Sequence, residues 1–584
     1  MSLLPRPRRL YAYGALLLLL AFLGVFLIWP MVLTVRGGFR AADGGFTWEH
    51  LVGLFEDPVV MAGLINSLKI AACTTVLCLL IGLPLAFISA RHDFPFKLLF
   101  TGLIMVPMIL PPFVGAIGLR SLLGRFGALN TALTEIGLLE PNQPGIDFLG
   151  GAVGGRFWAV VVMEALHLYP ILYLNAVAAL SNVDPSLEHA AASLGAGRWR
   201  RLRKITLPLM LPGLFAGATI VFIWSFTELG TPLMFDYYTV TPVQIFWGVM
   251  EVEDNPRAFA LVVLMLAVAL LLYGLARAAF GGRGYEMQTK ATIAATTTRL
   301  RAVPALLAIV FFGGVSALAM VPHAGVVLTS LTAPGTWYQS VLPQTWTMTH
   351  YGGALTHDLA MGSIRNSLFY ASTAMLFCVA LGLAISYLTV RIRVFGGALL
   401  DGLAMLPLAV PGLVMAFGYV AMTLQWPFQS GWLHETFSVV GAEPNPVPLL
   451  IIAYAVRRLP YVVRSASAGL QQTSGELEEA AWTLGATRAM GVRRIVVPLI
   501  MANLIAGAIL VFSFSMLEVS DSLILAQKES HYPITKAIYE LFGRLGDGPY
   551  VASAMGVWGM ALLSVTLIGA SVLLGRKMGA LFRV

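Results

Sequence analysis

The sequence predicts an all-α membrane protein of about twelve transmembrane helices, arranged as two parallel six-helix repeats. Three observations carry that prediction. The 584 residues are 58% hydrophobic and 11% charged, with a mean hydropathy of +0.81, whereas soluble proteins carry about 25% charged residues. Apolar runs long enough to cross about 30 Å of hydrocarbon recur along the whole chain. The chain also repeats itself. Asn66-Ser67-Leu68 returns as Asn366-Ser367-Leu368, and at the same offset of 300 Cys78, Gly82, Arg91, Pro107 and Pro111 meet Cys378, Gly382, Arg391, Pro407 and Pro411. After a ten-residue slip, Pro170, Gly195, Ile205, Pro208, Gly217 and Glu228 meet Pro460, Gly485, Ile495, Pro498, Gly507 and Glu518. Each half has the same in/out sense, so the repeat axis lies along the membrane normal. The halves are placed at 1–290 and 291–584.

The N-terminus is basic at Arg6, Arg8 and Arg9 and leads into an apolar run from Leu10 to about Leu33. A secretory signal has a shorter apolar core and a small-residue cleavage site. Trp29-Pro30 stands there instead, so the run is read as an uncleaved first span. Spans at about 61–90, 97–123, 156–180, 207–230 and 257–280 complete the first half. After a polar stretch at 281–301, the second half has spans at about 302–333, 363–390, 397–425, 447–470, 498–520 and 551–575. Cations cluster in alternate loops, as at Arg91/Lys97, Arg198 to Lys204, Arg391/Arg393, Arg488 to Arg494 and Arg576/Lys577/Arg583. Acids mark the others, as at Glu49, Glu56, Asp57, Glu251, Glu253 and Asp254. The positive-inside rule then puts both termini in the cytoplasm. The net charge of +8 is dispersed among these clusters, not gathered into a nucleic-acid-binding patch. Cys73, Cys78 and Cys378 lie in apolar runs without disulfide or metal spacing.

Between the fourth and fifth spans of each half lies a polar segment, at about 181–208 and 471–498. The first contains Leu187-Glu188-His189-Ala190-Ala191-Ala192-Ser193-Leu194-Gly195, and the second Leu477-Glu478-Glu479-Ala480-Ala481-Trp482-Thr483-Leu484-Gly485. Glu and Ala favour a short helix, the glycine ends it, and the basic residues that follow start another. Each segment is therefore predicted to be a protruding helix–turn–helix whose alanines offer a flat face to a partner. The alternative is an amphipathic loop lying on lipid headgroups.

The pattern Glu-Ala-Ala, three residues, Gly, nine residues, Ile-x-Leu-Pro resembles the EAA loop of ABC-importer permeases. The second segment fits at Glu479, Ala480, Ala481, Gly485, Ile495 and Pro498, with Val497 in place of Leu. The first fits at Ala190, Ala191, Gly195, Ile205, Leu207 and Pro208, with His189 in place of Glu. Fusion of two such halves in one chain resembles the iron(III)-type permease family. That resemblance implies a type I ABC importer permease fold in the bacterial inner membrane. It implies two ABC ATPase subunits on the cytoplasmic side, docked on Glu188, His189, Ala190, Ala191 and Gly195 and on Glu478, Glu479, Ala480, Ala481 and Gly485. It further implies an extracytoplasmic substrate-binding protein. The chain has no G-x-x-x-x-G-K-[ST] phosphate loop, so ATP and Mg are expected to serve the partner ATPase, with no cofactor or catalytic residue here. Iron(III) leads among the cargoes the resemblance implies; aminoethylphosphonate, thiamine and polyamine are the alternatives.

Ionisable residues inside spans are costly and hence candidates for the translocation pathway. Glu228 and Glu518 hold equivalent positions near the ends of the fifth and eleventh spans. Asp521 follows Glu518 by one turn, and Asp236 with Tyr237 and Tyr238 lies just beyond the fifth span. Such hard oxygen ligands suit Fe³⁺; equally, the two glutamates can bond backbone at helix breaks near Gly230. The fourth span holds Glu164 and His167, the tenth Arg457, Arg458 and Arg464. Glu164 paired with Arg457 or Arg458 would bias one conformational state. Alternatively the two arginines receive an anion, or one caps carbonyls beside Pro460 while Arg464 snorkels. An ion-gradient-driven secondary transporter also has twelve spans and internal repeats and is the alternative class, although it has no use for paired helix–turn–helix loops.

Overall fold

The computed structural model describes residues 6–41, 43–108, 111–140, 143, 145–150, 154–181, 183–249, 256–280, 298–338 and 340–574. Glu251, Glu253, Asp254, most of the 281–301 stretch, Arg576, Lys577 and Arg583 lie outside the described residues.

Helices form in all twelve predicted runs. Among the described residues, seven are long and apolar enough to cross a membrane, and ten if each of three bent pairs counts as one span. The remaining two runs are Pro256–Phe280 and Val447–Gln472, the latter carrying Arg457, Arg458 and Arg464. The third and ninth runs, each read as one span, are sharply bent. Lys97–Met108 meets Pro112–Glu135 at 95°, and Gly397–Leu408 meets Gly412–Thr423 at 106°. The cause is local. Pro111 (φ −57°, ψ 137°) and Pro411 (φ −58°, ψ 136°) are extended in ψ, and proline supplies no N–H to continue the ladder. The eleventh span is also bent, by 78° between Leu499 and Met501.

Within the first half, Pro58–Arg91, Gly155–Ser181 and Leu207–Phe226 pack together; Asp358–Ser386, Val447–Gln472 and Met501–Met516 do the same in the second. The first span of each half crosses over. Trp29–Gly38 packs on Gly412–Thr423, and Ala302–Ser330 packs on Pro112–Leu123. Glycine makes this approach feasible: a Cβ on Gly418 would lie 2.8 Å from the Pro30 carbonyl oxygen, and one on Gly118 would lie 2.5 Å from the Val326 nitrogen. Both crossings carry hydrogen bonds, from Tyr419 Oη to Phe26 O (2.7 Å) and from Thr329 Oγ1 to Ser121 Oγ (3.0 Å). The main buried cluster consequently runs through both halves. A parallel two-residue pairing, His92–Asp93 with Thr298–Arg299, ties the start of the second half to the end of the second span.

Candidate coupling loops and central cavity

The two polar segments fold alike. In the first, Pro185–Ser193 is followed by Arg198–Arg201; in the second, Glu476–Thr483 is followed by Arg488–Gly491. Gly195 (φ +79°) and Gly485 (φ +88°) end the leading helices in the left-handed region, which a side chain would strain. The freed carbonyls are taken up by Ala196 N–H to Ala191 O (2.9 Å) and Ala486 N–H to Ala481 O (3.0 Å), the Schellman arrangement. A five-residue π-helical stretch then leads into each membrane helix, Leu202–Thr206 in one half and Val492–Val496 in the other.

The tip of each turn holds a leucine out in solvent: Leu194 is 88% and Leu484 89% exposed. His189 and Ala190, and likewise Glu479 and Ala480, are exposed beside them, while Ala191 and Ala481 are half-buried. The preceding glutamates are placed differently from the expected docking face. Glu188 turns inward to Arg91 (2.7 Å) and accepts from Thr206 Oγ1 (2.5 Å). Glu478 is buried, contacts Arg391 Nε at 3.0 Å and accepts from Tyr387 Oη at 2.9 Å. Both lie in the first turn of their helices, where the helix dipole favours an anion. They fasten the loops rather than present them.

At the centre, residues of both halves enclose a cavity of about 170 Å³. The breaks at Pro111–Pro112 and Pro411–Gly412 open onto it, and Glu164, His167, Glu228, Arg457, Arg458 and Glu518 line it. Six of the eight pathway residues expected from sequence are thus brought together. Asp521 sits directly behind, 3.4 Å from Arg457. Asp236 does not join them: it pairs with Arg120 and accepts from Tyr238 Oη at 2.9 Å.

The expected Glu164–arginine pair does not form. Arg457 and Arg458 both bind Glu518 from one helix break away, and Arg458 also donates to Phe514 O at 3.3 Å. Glu164 instead accepts from Ser225 and from Thr74 (3.5 Å), while its Oε1 has no hydrogen-bond partner among the described residues. The backbone reading of the equivalent glutamates is the one observed. Thr231 N–H donates to Glu228 (3.3 Å) and Asp521 N–H to Glu518 (3.5 Å), capping the short helices Gly230–Met234 and Ser520–Leu525. His167 Nδ1 lies 3.0 Å from the Pro107 carbonyl, beside the break. Among the described residues, no group of three or more His, Cys, Asp or Glu is placed to hold a metal ion.

The family described as the binding-protein-dependent transport system inner membrane component matches this chain twice, over residues 82–280 and 378–579. The chain belongs to that family. As a member it is a multi-pass inner membrane protein, the transmembrane component of an importer rather than an enzyme, with two copies of the permease unit in one polypeptide. The first matched segment contains one bent span and the second contains two, and each contains one loop and one capping glutamate; the crossing first spans lie outside both.

This permease is 26% identical over 555 residues to the ferric transport system permease protein FbpB of Actinobacillus pleuropneumoniae, covering 94% of this chain and 76% of that one. It is 28% identical over 275 residues to the putative 2-aminoethylphosphonate transport system permease protein PhnU of Salmonella paratyphi A, covering 47% and 93%. A bacterial alginate ABC transporter, solved in complex with an alginate pentasaccharide-bound periplasmic protein, aligns over 47% of this chain and 94% of its own at 18% identity, with a TM-score of 0.38. Sequence reasoning did not single out Arg91, Arg391, Tyr387 and Thr206 as the partners of the loop glutamates. The recurrence of Arg91 as Arg391 was the available signal.

Proposed function

We propose that this permease forms the translocation path of an ATP-driven importer for iron(III), delivered by an extracytoplasmic binding protein. The observation that carries the reading is the pair of repeat-related helix–turn–helix loops, each with an exposed leucine at its tip. Two separate ABC ATPase subunits, using ATP and Mg, grip these loops through His189, Ala190, Glu479, Ala480 and the leucine tips. The loops and both termini then lie in the cytoplasm, and the units at 1–290 and 291–584 rock between inward-open and outward-open states around the central cavity. Alignment with a ferric permease along nearly the whole chain favours iron(III). Aminoethylphosphonate is the second reading, favoured by the likeness to PhnU and by two arginines on the cavity wall.

The test is purification of the detergent-solubilised complex through a tag on this chain, followed by mass spectrometry. A P-loop ATPase in twofold excess over the permease is expected, and the accompanying binding protein should retain iron(III) in preference to aminoethylphosphonate. Recovery of the chain alone, with uptake driven by a proton or sodium gradient, would sink the reading. Leu194→Asp together with Leu484→Asp should strip the ATPase from the complex while leaving the permease folded, as judged by gel filtration.

A further inference from the structure

The two loops are alike at their tips and unlike at their roots. In the first half, the helix that follows the turn enters the membrane without a sharp bend, as Arg198–Phe226 over 29 residues, passing through the π stretch Leu202–Thr206 and Pro212. In the second half the same path bends by 78° between Leu499 and Met501. The residue at the bend, Ile500, is fully buried, and its equivalent Met210 lies inside a helix. An unbroken helix carries an axial push along its length, because each turn is hydrogen-bonded to the next. At a bend of this size that ladder is interrupted, and a push on the loop turns the joint instead of moving the span.

The anchors differ in the complementary sense. Glu188 divides its bonds between Arg91, at the end of Pro58–Arg91, and Thr206 of its own loop. Glu478 turns both oxygens to the helix Asp358–Ile392: Oε2 accepts from Tyr387 Oη, and Oε1 lies 3.0 Å from Arg391 Nε as an ion pair without hydrogen-bond geometry. Arg391 further donates to Thr473, at 2.8 Å to the carbonyl and 2.7 Å to the hydroxyl, just before the loop helix. The side chains of the second anchor are also the drier ones, 17% and 4% exposed for Arg391 and Glu478 against 24% and 18% for Arg91 and Glu188. Asp358–Ser386 packs on Val447–Gln472, which bears Arg457 and Arg458 on the cavity wall.

We infer that movement of the ATPases enters the first half along the rod Arg198–Phe226 and the second half through the Arg391–Glu478–Tyr387 joint. In the second half the eighth span, not the eleventh, is the driven element. Arg391, Tyr387 and Glu478 are therefore positioning residues for transport, and Arg91 is a dispensable brace. The inference rests on the reading that ATPases grip these loops.

The experiment uses the whole complex, with its ATPase and iron(III)-loaded binding protein, in liposomes. It reads iron taken up per ATP hydrolysed, alongside the ATPase-to-permease ratio. Arg391→Gln should lower uptake per ATP about tenfold or more with the ATPase ratio unchanged, because it leaves the buried Glu478 charge with the Tyr387 hydroxyl but no cation. Arg91→Gln should lower it by no more than about twofold, as its partner is partly solvated and keeps Thr206. Should Arg391→Gln fail to assemble, Tyr387→Phe removes a single hydrogen bond and is expected to cut uptake per ATP about threefold. Equal losses for Arg91→Gln and Arg391→Gln, or an unaltered ratio in both Arg391→Gln and Tyr387→Phe, would overturn the inference. An unmutated chain that carries no ATPase would overturn the proposed function instead.

Discussion

Glu228 and Glu518 occupy equivalent sites and cap equivalent helices, yet only Glu518 also neutralises two arginines. Removing its charge leaves Arg457 with only Asp521 at 3.4 Å and Arg458 with only the Phe514 carbonyl in a largely dry wall, a change that costs about 3–5 kcal/mol. Glu518→Gln should therefore lower the thermal midpoint in detergent far more than Glu228→Gln, which gives up about 1 kcal/mol of hydrogen bonding. Equal shifts would show that Asp521 alone balances the arginines. Outside the membrane, Asp184 caps the first loop helix by accepting the Ser186 N–H at 2.8 Å, and that bond holds its carboxyl below the usual aspartate range. A depressed folded pKa means the contribution is complete above the ordinary aspartate pKa and is lost as pH falls through the lowered value. Hydrogen exchange of residues 186–190, corrected for intrinsic rates, should accelerate in that acid window. Asp184→Asn, which caps without titrating, should abolish the response. At this scale the sequence showed which ionisable residues lie within spans, and repetition marked Glu228 and Glu518 among them, but not who binds whom. Arg457 reaches Glu518, 61 positions on, because the short helix after the break brings it closer than Glu164. No periodicity along one span encodes that geometry.

The broken third and ninth spans show what an apolar run conceals. Pro107, Pro111, Pro407 and Pro411 were visible and repeated, but hydropathy stays high through them, so a right-angle turn looks like a continuous crossing. The turn matters because it points Pro112 and Gly412, the first residues of two helices, at the cavity. The same elements carry the glycines that admit the opposite half. Gly418→Val would press into the Pro30 backbone, which cannot rotate away as a side chain can, and should cost about 1–3 kcal/mol. Gly402→Val, on the same bent pair but with nothing within 4 Å of its Cβ, is the control and should leave the thermal midpoint nearly unchanged. The loops were more legible, since glycine at a fixed distance from Glu-Ala-Ala carries its own backbone requirement. Their anchors were not, because Arg91 and Glu188 are separated by a whole hairpin of membrane helices.

Across the molecule, duplication was legible and interlocking was not. Identical residues at a constant offset declare two copies of one plan, whereas lipid-facing helices carry no address saying which half they join. The permease therefore looks in sequence like two units in tandem, and in space each unit is closed by a helix from the other. This also has a consequence in time. Pro30 precedes its contact residue Gly418 by 388 residues, and at about 5–20 residues per second of synthesis it waits roughly 20–80 s. Pro322 meets no such delay, since Gly118 is already in the membrane when it arrives. The seventh span thus completes the first half while the chain is still growing. The first span is among the earliest made, yet its seat is completed only when the ninth arrives.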